Sequence, residues 1–370
     1  MASSLFIGLM SGTSTDGVDG VLADFSSAGR PRSLASVSLP MPAGLREEFL
    51  ALNLTGANEL ARAALAGNAL AELYADAVQA LLSQADVDAA GICAIGAHGQ
   101  TVRHDPAAGY TIQINAPAVL AERSRIAVIA DFRSRDIAAG GQGAPLVPAF
   151  HHALFAGAEP LAVLNLGGIA NLTLLDADGG IRGFDTGPAN VLMDLWAQAG
   201  IGQAYDTDGA WAASGRASAE LLDLLIRDEP WFELAPPKST GRDLFNQAWL
   251  SRRIERFQAG PGRLADNDIQ ATLQQLTAAT VAQALARHAP GIREVLVCGG
   301  GALNGGLMRD LRSALPCPVR PTSDLGVPVQ MVEALAFAWL AWAHEHGRAA
   351  GLPSVTGARG ARVLGCKYPA

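Results

Sequence analysis

Two apolar segments, each interrupted by a glycine-bearing turn and then resumed, constrain the fold of this 370-residue chain more than any other feature. The first is Leu5–Met10, then Ser11-Gly12-Thr13-Ser14-Thr15-Asp16-Gly17, then the run from Val18 to Phe25. The second is Leu161–Leu166, then Gly167-Gly168-Ile169-Ala170-Asn171, then Leu172–Leu175, with a further turn at Asp176–Gly180. Small polar residues and glycine between apolar runs predict strand, tight turn, strand. Similar hairpins opening two halves of similar size predict a duplication of organisation rather than of identity. No short repeat of the solenoid kind is present.

The pattern between the hairpins alternates. Helical periodicity covers Gly44–Ala51 and, more strongly, Asn58–Gln84. Ile92–Ala97 and Ile126–Ala130 predict strands, ending in His98 and in Asp131-Phe132-Arg133. Ala138–Gly143 predicts a loop and Leu146–Ala156 a helix. Later come helices at Asn190–Gln198, Leu221–Arg227 and Asp268–Arg287, the last with Asp268 as its N-cap. Glu294–Cys298 predicts a strand that runs into Gly299-Gly300-Gly301, with a helix at Gly305–Ala314. Strands alternating with helices, some strands continuously apolar, predict α/β lobes. The expected division is an N-terminal lobe of residues 1–145, to which 346–370 returns, and a C-terminal lobe of 146–345.

Composition narrows the class of function. With 49% hydrophobic and 17% charged residues, each half has enough apolar material for a core. A net charge of −8 gives no electrostatic reason to expect nucleic acid. The apolar stretch Ala334–Ala343 is about half of the ~20 residues needed to span a bilayer, so it predicts a buried helix and no membrane partner. No targeting segment is expected from the N-terminal pattern. Cys93, Cys298, Cys317 and Cys366 are scattered without a CxxC pair, which suits free thiols in a reducing cytoplasm.

The glycine turns carry the first chemical signal. Gly12 and Gly17 let backbone amides approach an anion, and the hydroxyls of Thr13, Ser14 and Thr15 can donate to phosphate oxygens. Asp16 is placed to hold Mg²⁺, and Val18 and Asp19 complete the segment. Gly167, Gly168 and Asn171 offer a second such turn; Gly299, Gly300, Gly301 and Asn304 offer a third. Each alone also suits an ordinary turn; together they favour a nucleotide cleft. The first is not a Walker A loop, because no Gly-Lys-Ser/Thr follows it. Asp185, in Gly183-Phe184-Asp185-Thr186-Gly187-Pro188, suits either a helix N-cap or a general base at a strand end. Arg133 suits a ligand's negative charge or an ion pair with Asp131 or Asp136. His98, at a strand end, and Glu333, opening an apolar helix, suit either structural roles or substrate contact.

At these residues the chain resembles the anhydro-N-acetylmuramic acid kinases. The likeness is carried by Ile7-Gly8-Leu9-Met10-Ser11-Gly12-Thr13-Ser14-Thr15-Asp16-Gly17, Ala97-His98-Gly99-Gln100-Thr101, Asp131-Phe132-Arg133 and the segment from Gly140 to Pro148. Gly183 to Pro188, Pro237-Lys238-Ser239-Thr240-Gly241-Arg242, Asp268 to Leu273 and Cys298 to Ala302 extend it, and it reaches Leu364-Gly365. Two departures stand out: Gln113-Ile114-Asn115-Ala116-Pro117 has its Asn displaced, and Ala189 stands where Gly is expected. The resemblance implies two ribonuclease-H-like lobes of the actin-like ATPase superfamily with ATP in the cleft between them. It implies Gly12–Asp19 at the phosphates, Asp185 as base, and His98, Arg133 and Glu333 at the sugar. It implies a cytoplasmic homodimer that uses ATP and water to convert 1,6-anhydro-N-acetylmuramic acid to N-acetylmuramic acid 6-phosphate and ADP in murein recycling. Three other readings stay in view: a kinase acting on a free 6-hydroxyl, a sugar sensor, and a chaperone-type ATPase. An intact Asp185 and the expected lack of DNA-binding or peptide-binding additions count against the last two.

Overall fold

The first glycine turn folds as its sequence predicts. β1 (Leu5–Met10) and β2 (Gly17–Ser27) pair antiparallel, and β3 (Arg30–Pro40) continues the sheet beyond β2. The computed structural model describes residues 4–12, 15–27, 30–260 and 263–370. It divides into two units, one of Met1–Leu154 with Met331–Ala370 and one of Phe155–Gln330.

In the first unit β1 also pairs parallel with β4 (Ile92–Ala97). A two-stranded ribbon, β5 (Gln100–Asp105) with β6 (Tyr110–Ile114), stands apart from the main sheet. β4 pairs parallel with β7 (Val128–Ala130), and the C-terminal strand Cys366–Tyr368 closes the edge antiparallel to β7. Side chains alternate along β1 as period two demands. Ile7 and Leu9 join the core under the helix Glu59–Ala85, which contributes Leu70, Tyr74, Val78 and Leu81. Each of these fully buried side chains is worth about 1.5–3 kcal/mol. Phe6 lies on the other face, edge-on to Phe25, which stacks on Trp342 of the helix Val332–Glu345.

That helix corrects the expected boundary. It packs on β1, β2 and β4, so it belongs to the first unit and not to a lobe ending at residue 345. The reason lies in two strand glycines. A Cβ on Gly8 would overlap Ala334 O, and a Cβ on Gly96 would overlap Phe337 O. Glycine at both positions lets the helix backbone rest directly on the sheet. The helix Val147–Phe155 falls almost wholly in the first unit too.

The second unit repeats the plan. β8 (Leu161–Leu166), β9 (Ile169–Leu175) and β10 (Ile181–Pro188) form an antiparallel meander, and β11 (Glu294–Cys298) and β12 (Val319–Pro321) extend it parallel to β8. Numbered within each unit, both five-strand cores read 3-2-1-4-5, with the same parallel and antiparallel pairings. This is the ribonuclease-H-like order, built twice as expected. The helix Asp266–His288 buries Ile269, Leu273, Leu276, Val281 and Leu285 in this unit's core. It begins two residues earlier than the sequence suggests and Asp268 does not cap it; Asp268 accepts the backbone N–H of Arg216 at 2.7 Å instead. Among the described residues no helix is long and apolar enough to cross a membrane.

Candidate functional site

The first turn is braced from the end of β4 and the start of β5. Ser11, buried, donates its hydroxyl to Gln100 Oε1 at 2.5 Å, and Gln100 Nε2 donates to Gly12 O at 3.1 Å. Thr15 N donates to Gly12 O at 3.1 Å, and Thr15 takes the left-handed conformation at φ 55°. Thr13 and Ser14 lie outside the described residues. Asp16 projects outward with 74% of its side chain exposed, 3.8 Å from Arg46. Gly17 and Val18 have structural duties: a Cβ at Gly17 would overlap Leu39 O, and the Val18 side chain is fully buried in the core. Among the described residues no three His, Cys, Asp or Glu side chains gather as a metal cage. One outward carboxylate on this turn instead fits Mg²⁺ held mainly by phosphate oxygens and water, which is how that ion is commonly bound beside nucleotides.

Behind this turn lies a cluster of ionisable groups drawn from four elements of the first unit. His98 follows β4; its Nδ1 lies 3.2 Å from Ser11 O, and its Nε2 receives Arg133 Nη2 at 2.9 Å and Nε at 3.2 Å. Two donors at Nε2 fix the tautomer, with the proton on Nδ1. Burial, reinforced by the Arg133 charge, lowers the His98 pKa to about 3, so the ring is neutral. Arg133 anchors its third contact on Gly143 O at 2.8 Å, through Nη1. Burial lowers the Arg133 pKa to about 10, and the charge of Glu333 opposes that fall. Glu333 sits in the first turn of Val332–Glu345, its pKa raised by burial, lowered again by Arg133 and raised by Asp19. Asp19 accepts the Ser38 hydroxyl at 2.5 Å and is likewise raised by burial. His98, Arg133 and Glu333 therefore come together, and Asp19 joins them rather than the exposed face of the turn. Arg133 pairs with neither Asp131 nor Asp136; three of its five guanidinium N–H groups go to His98 and Gly143, which leaves two.

The second turn is stitched by backbone. Gly167 O accepts from Asn190 N at 3.0 Å, and Gly168 O accepts from Ala189 N at 2.9 Å and Val191 N at 3.1 Å. These bonds seat the turn on the N-terminus of the helix Asn190–Ile201. A Cβ on Gly167, Gly168 or Gly300 would meet nothing closer than 3.7 Å, so internal packing does not require glycine there. Open backbone on two adjoining turns is a cradle in which a ligand can lie against amide groups. Gly299 and Gly301 are different: Cβ atoms there would press on Leu166 O and on Leu166 Cβ, both at 2.7 Å. Asn304 Oδ1 is occupied as a helix cap, accepting Leu307 N at 3.0 Å. Asn171 stands opposite Asp185 in the β9–β10 register.

Asp185 lies on β10 at an irregularity where the register slips between it and Gly187. It is not a helix cap: the following helix is preceded by Ala189, with no side-chain cap. Its backbone N–H donates to Lys238 O at 3.1 Å, and its Oδ2 accepts Thr240 N at 2.8 Å. Lys238 is held by Phe232 O at 3.0 Å and lies 4.3 Å above the Trp231 ring. Burial raises the Asp185 pKa to about 6, with the Thr240 N–H and the Lys238 charge opposing. A carboxylate poised near neutrality can take a proton and give it up again at physiological pH.

The model of the anhydro-N-acetylmuramic acid kinase family matches residues 4–370. The chain belongs to that family. It is 65% identical over 366 residues to an anhydro-N-acetylmuramic acid kinase of Bordetella pertussis, covering 99% of this chain and 96% of that protein. It is 55% identical over 382 residues to one of Variovorax paradoxus, covering all of both chains. Solved structures match only loosely, as with component A of the Acidaminococcus fermentans (R)-2-hydroxyglutaryl-CoA dehydratase: TM-score 0.48, 12% identity, 91% of this chain and 97% of that one. The lobe assignment therefore rests on strand order and register.

Within this kinase-family chain, the residues that the sequence singles out separate by unit. The first unit holds the Gly12–Asp19 turn with His98, Arg133 and Glu333; the second holds Asp185 with the Gly167 and Gly299 turns. Sequence reading did not assign Gln100, Lys238 or Thr240 to a site. For the last two, a Pro-rich loop in the same unit as a lone acid was the signal available.

Proposed function

We propose that this chain uses ATP and water to open 1,6-anhydro-N-acetylmuramic acid and phosphorylate its O6. The products are N-acetylmuramic acid 6-phosphate and ADP. What carries the reading is Asp185: a strand-end carboxylate, poised near pH 6, in a chain of this family. The substrate's own chemistry explains why a base is needed. O6 is bonded to C1 in the bridge and has no proton to remove. Asp185 takes a proton from water instead, and the water oxygen bonds to C1. The C1–O6 bond breaks with its electron pair on O6, which bonds to the γ-phosphorus as the bond to ADP breaks. Proton transfer by a positioned side chain contributes typically about 10²–10⁴-fold.

Arg133, kept charged and aimed by His98 and Gly143, suits the lactyl carboxylate of the sugar, and neutral His98 and Glu333 suit its hydroxyl and amide groups. Within the second unit the open backbone at Gly167, Gly168 and Gly300 suits nucleotide phosphates, and within the first the Gly12–Asp19 turn suits them by its glycines and hydroxyls. Asp16 would hold Mg²⁺, which when bound neutralises phosphate charge. The reading places the chain in murein recycling, in the cytoplasm, as a homodimer. Incubation with ATP, Mg²⁺ and the anhydro sugar in ¹⁸O-water tests it. The label should appear at C1 of a 6-phosphorylated product. Phosphorylation of the reducing sugar in preference to the anhydro sugar would sink the proposal and favour a kinase acting on a free 6-hydroxyl.

A further inference from the structure

Asp136 is a fully buried carboxylate in the short helix Ser134–Ala138, and among the described residues it forms no ion pair. Both of its oxygens are nonetheless engaged. Oδ2 accepts Gly143 N at 2.8 Å, and Oδ1 accepts the Thr356 hydroxyl at 2.8 Å from 220 residues away in sequence. Thr356 O in turn accepts Gln142 N at 2.8 Å. The glycines around it are shaped to this arrangement. A Cβ on Gly141 would overlap the Asp136 carboxylate; Gly143 takes φ 68°, and a Cβ there would press on the Ile137 side chain at 2.9 Å. Gly143 is the residue whose carbonyl anchors Arg133 Nη1 at 2.8 Å, while the other side of the same guanidinium fixes His98. A continuous series of bonds thus runs from Thr356 through Asp136, Gly143 and Arg133 to His98.

We propose that Asp136 is a positioning residue: it sets the orientation of the Gly143 peptide and, through it, aims the Arg133 guanidinium for the sugar. The functional half of this statement rests on Arg133 being a sugar ligand. A buried carboxylate is suited to the task because it accepts from two donors at once and fixes both. With Asp136 removed, the Gly143 N–H has no acceptor and the peptide is free to turn its carbonyl off Arg133.

The chemistry also predicts which substitution is tolerated. In Asp136→Asn, Oδ1 of the new amide can accept Gly143 N while its Nδ2 donates to Thr356 Oγ1. That hydroxyl can turn its own proton to Leu352 O, already 3.3 Å away. Asp136→Ala offers neither partner anything.

The test combines kinetics with ¹⁵N NMR of the His98 imidazole, and thermal unfolding confirms that each variant is folded. In Asp136→Ala the His98 signals should shift and KM for the anhydro sugar should rise about tenfold to a hundredfold, the scale of a small misplacement of a binding group. KM for ATP should move far less. Asp136→Asn should recover most of the loss. In an Arg133→Ala background, Asp136→Ala should add no further rise in sugar KM, because the group it aims is already gone. Should Asp136→Ala fail to fold, Thr356→Val removes one of the two donors and should shift the same signals and the same constant in the same direction, by less. His98 signals unaltered in a folded Asp136→Ala or Thr356→Val variant would overturn the inference. So would fully additive effects with Arg133→Ala. If the His98 signals shift but Arg133→Ala leaves sugar KM intact, the sugar role of Arg133 is wrong while the positioning by Asp136 stands.

Discussion

Replacing Asp185 by Asn should make the protein more stable and inactive at once. Burial lifts the carboxyl from its ordinary 3.8 to about 6, a difference of roughly two units. Each unit is worth about 1.4 kcal/mol, so holding Asp185 ionised costs up to about 3 kcal/mol. Its partial access to solvent brings the expected gain in Asp185→Asn to about 1–3 kcal/mol at pH 7.5. For a unit of this size that is a rise of about 2–12 °C in the unfolding midpoint. The sign follows from proton counting. Between pH 4 and 6 the folded state keeps a proton that the unfolded state has released, so wild-type stability falls as pH rises through that window. The advantage of the Asn variant should therefore be absent below about pH 4, grow up to about pH 6 and stay constant above. Four of the six tryptophans, Trp196, Trp211, Trp231 and Trp249, lie in the second unit and Trp339 and Trp342 in the first, so emission weighted towards the second unit, with Trp339 and Trp342 replaced by Phe in both proteins compared, follows its unfolding across a pH series. In parallel, wild-type kcat/KM should fall on the acid side with an apparent pKa near 6, and the variant should bind ATP and sugar without opening the ring. A variant less stable than wild type at pH 7.5, or a stability difference that does not change between pH 4 and 8, would refute the idea that burial raises this pKa. Ring opening at wild-type rate would refute its role as base.

The glycines should divide by what surrounds them. Gly8→Ala and Gly96→Ala push a methyl into the backbone of Val332–Glu345 and should each cost more than about 3 kcal/mol, read by denaturant unfolding of the whole chain. Gly167→Ala meets open space, so it should shift stability by less than about 0.5 kcal/mol yet raise KM for ATP. A large stability loss there would show that packing, not a ligand, demands the glycine. His98 should stay neutral to about pH 3, which ¹⁵N spectra can follow directly. Because an unfolded histidine charges below about 6.5 and this one does not, His98→Gln should lose less stability than wild type between pH 6.5 and 4; equal slopes would contradict the burial argument.

Much of this arrangement was legible in the sequence, and what was not has identifiable causes. The two hairpins could be read because glycine turns between apolar runs leave few alternatives. β3 and the β5–β6 ribbon are hard to read because their strands mix polar and apolar residues; the signal in β3 is the alternation of Ala35, Val37 and Leu39 with serines. The helix at 332–345 was legible as buried but not as to which sheet it covers, since an apolar helix fits either; Gly8 and Gly96 hold that information. Asp185 could be picked out as a candidate base, but its poise could not. Its hydrogen-bond partner, Thr240, is 55 residues away, and its burial depends on a loop whose path the local sequence does not state. Asp136 was visible only as a neighbour of Arg133, because its partner Thr356 is supplied from the far end of the chain.

The two units reach the same strand order by different local means, which explains why the duplication shows in organisation and not in identity. In the second unit, main-chain groups of the Asn190–Ile201 helix hold the turn at Gly167 and Gly168, with the Asn190 side chain adding one bond to Leu166 O at 3.1 Å. In the first, a side chain adds to the backbone bond from Thr15 N to Gly12 O: Gln100 both accepts from Ser11 and donates to Gly12. Backbone bonds survive substitution and side-chain bonds do not, so the first turn, where Gln100 makes two bonds, should be the more sensitive to one replacement. Gln100→Ala leaves a buried Ser11 hydroxyl without its acceptor, at a cost of about 1–3 kcal/mol. If the Gly12–Asp19 turn grips ATP, KM for ATP should rise in this variant more than KM for the sugar, even though His98 and Arg133 lie close behind. A variant that loses stability but keeps wild-type ATP affinity would mean that Gln100 holds the strand ends and not the nucleotide turn.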